Sequence, residues 1–108
     1  MTTPFTFTTK ALIKAPLTPG MTRDGRAVLR LLVSIDGAEY TLNIVSKPGM
    51  GAEALAKYLT ENGFIKLENG RWTIELPTWS IAKAKNLTIW VHVEDYEKLK
   101  GTTSTSAS

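Results

Sequence analysis

Apolar residues alternate with polar ones over most of this chain, and turn-forming residues stand where the alternation lapses. From Arg26 to Ser34, Ala27, Leu29, Leu31 and Val33 form a wholly apolar face, and Val28, Arg30, Leu32 and Ser34 form a mixed one. A period of two predicts a strand. Asp36-Gly37 leads into Tyr40-Thr-Leu-Asn-Ile-Val45, where Tyr40, Leu42 and Ile44 share a face. An Asp-Gly pair between alternating runs predicts a hairpin over 26–46. Upstream, the Thr- and Phe-rich run from Phe5 to Ile13 predicts a first strand, bent near Lys10.

The period changes after Pro48-Gly49. In Ala52-Glu-Ala-Leu-Ala-Lys-Tyr-Leu-Thr-Glu61, Leu55, Tyr58 and Leu59 recur at helical spacing, Glu53 and Lys57 form an i,i+4 pair, and Asn62-Gly63 supplies a left-handed stop. Phe64-Ile-Lys-Leu-Glu68, Asn69-Gly70 and Arg71-Trp-Thr-Ile-Glu-Leu76 then predict a second hairpin, with Ile65 and Leu67 on one face and Trp72, Ile74 and Leu76 on another. After a polar connector over 83–86, Leu87, Ile89, Val91 and Val93 alternate with Thr88, Trp90, His92 and Glu94, which predicts a last long strand.

The 108 residues, 43% hydrophobic and 21% charged, fit a single soluble domain over 1–100. The uncharged Ser/Thr-rich stretch 101–108 is expected to be a flexible tail. The absence of cysteine excludes disulfides, thiol nucleophiles and Cys-based metal sites. No apolar run approaches the roughly 18 residues of a spanning helix, and the first residues lack the features of a signal peptide, so a cytoplasmic protein without membrane contact is expected. The net charge of +3 lies entirely in residues 1–50, a bias that suits a polyanionic partner.

Strands one to three, a helix, then strands four and five is the order of the oligonucleotide-binding barrel. The expected fold is therefore all-β with one short helix: a five-stranded Greek-key OB-fold barrel with an extended hairpin between strands four and five. A small sandwich or an SH3-like barrel fits the pattern as well.

Several segments resemble the bacterial single-stranded DNA-binding protein family, including its short primosomal replication relative. Asp24-Gly-Arg-Ala-Val-Leu-Arg-Leu-Leu-Val33 is similar to the family's glycine-basic-Ala-Val approach to its second strand. Glu39-Tyr-Thr-Leu-Asn-Ile-Val45 is similar to its Glu-aromatic strand, and Ala52-Glu-Ala-Leu-Ala-Lys-Tyr-Leu59 to its helix. Ile65-Lys-Leu-Glu68 with Gly70-Arg71 resembles the strand that ends in Glu-Gly-basic. Ala15-Pro-Leu17 and Lys83-Ala-Lys-Asn-Leu-Thr-Ile-Trp-Val-His-Val-Glu94 look closer to the primosomal relative. The likeness spans roughly residues 10–99, in short degenerate pieces. Ser46 stands where the family has Phe, Asn69 looks inserted, and the tail lacks the acidic tip through which the family recruits partners.

The resemblance implies single-stranded DNA binding without sequence preference, in replication, recombination or repair, by a homo-oligomer (dimer or tetramer). RNA remains an alternative ligand. Such binding needs bases stacked on aromatic rings and cations along the phosphates. By that resemblance Tyr40 matches the aromatic opening the third strand and Trp79 the tryptophan of the long hairpin. Tyr40 also fits a core role beside Leu42 and Ile44, and Trp90, on a polar strand face, fits either a stacked base or a subunit interface. Trp72, in register with Ile74 and Leu76, is expected to pack, and Phe5, Phe7 and Phe64 to serve the core or an interface. Arg30 interrupts the mixed face of a strong strand; Arg23, Arg26, Lys47, Arg71, Lys83 and Lys85 lie at turns around the expected groove.

An enzyme is not expected. His92 is the sole histidine, no triad assembles, Ser46-Lys-Pro-Gly-Met-Gly51 lacks the ending of a phosphate loop, and Glu94, Asp95 and Glu97 read as a solvated strand end. No cofactor or metal is expected. The rival of another class is an OB-fold protein-interaction or primosome-type adaptor module whose aromatics meet protein; a small hydrolase or nuclease is a weaker third.

Overall fold

Asp36-Gly37 and Asn69-Gly70 both close two-residue turns, with φ of 51° and 84° in the first pair and 51° and 77° in the second. Paired left-handed residues match the twist of the strands they join. The structure is a computed structural model and describes residues 8–99. Its elements are β1 (Thr8–Pro16), β2 (Gly20–Met21), β3 (Ala27–Ile35), β4 (Ala38–Val45), α1 (Ala52–Glu61), β5 (Ile65–Glu68), β6 (Arg71–Pro77), α2 (Thr78–Ala82) and β7 (Thr88–His92). A third helical segment, α3, covers 93–99.

The strands form one sheet in the order β5-β6-β1-β3-β4-β7, with β2 beside β3. β1, β3 and β4 follow one another, and β6 returns after α1 to lie against the free side of β1, which is a Greek-key order. β4 and β7 pair in parallel, from Thr41↔Thr88 to Val45↔His92, and everything between them serves as the crossover that a parallel pair requires. Pro16 and Pro19 divide the first strand: β1 follows β3 as far as Pro16↔Leu31, Leu17 donates its N–H to the Arg30 carbonyl at 2.9 Å, and pairing resumes in β2 at Gly20↔Val28. Proline offers no N–H to a ladder.

Val33, Leu42, Ile44, Ile74, Leu76, Ile89 and Val91 turn inward and are fully buried, with Leu55 and Leu59 of α1 above them. α1 ends in a Schellman motif. The Phe64 N–H bonds the Leu59 carbonyl at 2.9 Å and the Gly63 N–H bonds Thr60 at 3.2 Å, with Gly63 at φ 79°. This places Phe64 in the core, 4.6 Å from the Tyr96 ring. The Tyr96 hydroxyl donates to the Glu75 carbonyl at 2.9 Å, and burial pushes its phenol well above the usual range.

The mostly β character holds, but the details differ from the expectation. Seven strands form rather than five, because a two-residue strand completes the first and the β5–β6 hairpin adds its own. No extended hairpin separates the last strands among the described residues; α2 occupies that place, starting behind Pro77 and closing with backbone bonds from Lys83 to Ser80 and Ala84 to Ile81. β7 stops at His92 and does not run on to Glu94. There the Asp95 carboxylate accepts the His92 N–H at 3.2 Å, the return half of a capping box, and Val93, Tyr96 and Leu99 are buried at helical spacing. Glu94, Asp95 and Glu97 are thus on a helix and not a strand end. The irregularity in β1 falls between Ile13 and Ala15, where Lys14 is the extra residue, and not at Lys10. Trp72 and Leu67 are exposed, because their rows continue past the end of the core. Phe5, Phe7 and the expected tail at 101–108 lie outside the described residues.

Candidate nucleic-acid interface

Alternation along β3, β4 and β7 sends one set of side chains into the core and the other to the outer face, where Val28, Asn43 and Val45 are covered by their neighbours. Three cross-strand rows make that face: Leu32, Thr41 and Thr88; Arg30, Asn43 and Trp90; Val28, Val45 and His92. Trp90, in the middle row at the sheet edge, is 56% exposed although its neighbours Ile89 and Val91 are fully buried. A tryptophan standing on a polar row contributes little to the core.

Two depressions adjoin along this face and share Trp90 as a wall. The first, about 330 Å³, runs from Gly20 and Met21 of β2 across Arg30 and Asn43 to Thr88. The second, about 450 Å³, is lined by Thr22, Asp24, Arg26, Val45 and His92. Their electrostatics differ. Arg30 Nε donates to Asn43 Oδ1 at 3.2 Å, and Asn43 is 4% exposed. The guanidinium is therefore held by a neutral amide, and among the described residues no carboxylate lies within ion-pair distance of it. Arg26, by contrast, meets Asp24 at 3.0 Å and Glu94 at 3.8 Å. The Thr22 hydroxyl bonds the Asp24 carboxyl and, with Arg26, keeps it below its ordinary range. An incoming anion meets a free charge at Arg30 and a compensated one at Arg26.

Arg30, Arg26 and Trp90 are brought together, and Arg23 is exposed on the adjoining turn. The others are not. Tyr40 lies on the opposite face, opposite Val33, and packs against the core. Trp79 sits on α2, and Lys83 follows that helix. Lys85 bridges Thr88 at the start of β7. Lys47 forms an ion pair with Glu97 of α3, which raises its pKa. Arg71 lies at the β5–β6 turn, beside a separate depression. Ser46, fully buried, donates its hydroxyl to the Lys47 and Met50 carbonyls at 3.1 and 3.0 Å and so shapes the turn before α1.

Met21, Thr41, Asn43 and Thr88 line the face without having been singled out by sequence. The polar alternation Thr41-Leu-Asn43 was the available signal; Met21 had none, since it reaches the groove only through the pairing of β2 with β3.

No family model matches the chain, and no curated protein or solved structure matches it. No helix among the described residues is long and apolar enough to cross a membrane, and no group of three or more His, Asp or Glu among them could hold a metal ion.

Proposed function

We propose that the β3-β4-β7 face binds single-stranded DNA without sequence preference, with bases stacked on Trp90 and a phosphate held by Arg30. The observation that carries this reading is the exposed indole beside an uncompensated guanidinium, the pairing of aromatic and cation that single-strand binding uses. The strand path supports an OB fold: a Greek key of β6-β1-β3-β4, with α1 after β4 and with β7 added in parallel. In that fold the second and third strands and the neighbouring loops form the binding face. In this reading β3 and β4 are their counterparts. Binding makes and breaks no bond. Self-association into a dimer or tetramer, and delivery of the strand to replication, recombination or repair proteins, belong to the same proposal, with RNA as the alternative strand.

Tryptophan fluorescence during titration with oligo-dT at several salt concentrations, with a duplex control, tests the reading. Quenching that weakens with salt and is small for duplex is the expected result. Trp90→Ala should cost about 1–3 kcal/mol of affinity, and Arg30→Ala should lower the log–log salt slope by about 0.7, one phosphate on a single strand. A flat titration at low salt, confirmed by gel shift, refutes it. That result favours the second reading, a protein-contact face, which Met21, 73% exposed beside Trp90, would serve as an apolar anchor.

A further inference from the structure

Trp72 breaks the burial pattern of its own strand. It shares a face with Ile74 and Leu76, both fully buried, yet it is 49% exposed, and its cross-strand partner Leu67 is more exposed still. The indole stands against a depression of about 380 Å³ lined by Leu12, Ile13, Lys14, Gly70 and Arg71. The lining carries two cations and no acid. Glu68, the carboxylate in register with Arg71, is taken up elsewhere: Lys10 meets it at 2.8 Å and the Thr73 hydroxyl donates to it at 2.9 Å. Among the described residues neither Lys14 nor Arg71 forms an ion pair.

We infer that this depression is a second stacking platform for the same single strand, with a base on Trp72 and phosphates on Arg71 and Lys14. The inference rests on the single-strand reading of the Trp90 face and extends it. An aromatic surface beside uncompensated cations is complementary to a base with its phosphate. A second copy of this chain is a poor occupant, because two such patches would bring only positive charges together. Trp72 leaves the core-facing side of β6, beyond the end of the core, and Trp90 the outer side of β7 four ladder steps away, so a strand that engages both must pass around the end of the sheet. That path suits a strand near the long end of the range one such domain covers, about 4–16 nucleotides.

The test is a length series of labelled oligo-dT, from about 4 to about 16 nucleotides, titrated into the full chain and its Trp72→Ala, Arg71→Glu and Trp90→Ala variants. Trp90→Ala should weaken binding at every length. Trp72→Ala and Arg71→Glu should leave the shortest oligonucleotides unaffected and weaken the longest about fivefold or more. Thermal unfolding of the Trp72 variant, whose side chain is half exposed, establishes that the fold is kept. If both β6 variants bind every length as the parent does while Trp90→Ala is impaired, the second platform is overturned and the first stands. Equal loss at all lengths overturns it too, since that describes one continuous site. A change in sedimentation mass caused by Trp72→Ala also overturns it, because the patch would then be a subunit contact. If the parent chain binds no length, the single-strand reading itself fails.

Discussion

Leu87 is held where a side chain is unwelcome. Asn86 and Leu87 form a two-residue turn with φ of 52° and 57°, closed by the Lys85 N–H to Thr88 carbonyl bond at 3.2 Å and its reciprocal at 2.9 Å. The Leu87 side chain is 61% exposed, so burial returns little for that strain. A Cβ in the left-handed region costs about 1–2 kcal/mol. Glycine removes that cost but gains freedom in the unfolded chain, which offsets about 0.4–1 kcal/mol. The Thr41 N–H bond to the Leu87 carbonyl at 2.8 Å is made by backbone and survives either substitution. Leu87→Gly should therefore be more stable than Leu87→Ala by about 1 kcal/mol, or about 4 °C in Tm, the reverse of the usual order at ordinary positions. Gly70 is the control: at φ 77°, with nothing within 4 Å of an added Cβ, Gly70→Ala should lose about 1 kcal/mol for conformational reasons alone. Thermal and urea unfolding followed by circular dichroism reads both differences. An alanine variant at 87 as stable as the glycine variant would refute the argument.

Two further predictions concern pH. Burial raises the Tyr96 phenol above its unfolded value of 10.0, so at high pH the unfolded chain loses a proton that the native state keeps. Stability should fall as pH rises past that value, by about 1.4 kcal/mol per unit, and Tyr96→Phe should flatten the fall in urea unfolding between about pH 9 and about pH 11; equal slopes would contradict it. At the acid end, the hydrogen bond from Lys10, followed by that from Thr73, holds the Glu68 carboxyl below its ordinary value. Its stabilisation is present above the unfolded pKa and is lost as pH falls through the folded one, so Glu68→Gln should shift the acid unfolding curve; an unchanged curve would show that this exposed pair contributes nothing.

The two hairpins and α1 were legible because their causes are local. Asp36-Gly37 and Asn69-Gly70 set their turns, alternation set the faces of β3 and β4, and Gly63 stopped the helix. Trp90 was legible for the same reason: its place on a polar row follows from parity with Thr88 and His92. Parity shows which face a residue takes and not how far the core extends along it, so Trp72 read as packed although its row outruns the core. Tyr40 could be separated from the Trp90 face only once the buried Leu42 and Ile44 fixed which side is inward. Val93 continued the alternation of β7 and also began the helical spacing of Tyr96 and Leu99; the Asp95 cap and the packing of Tyr96 on Phe64 decided for the helix. The approach of Met21 to Trp90, and the parallel pairing of β4 with β7, depend on contacts between distant segments. Alternation and turn chemistry act over a few residues, whereas these pairings arise when the whole chain buries one apolar face.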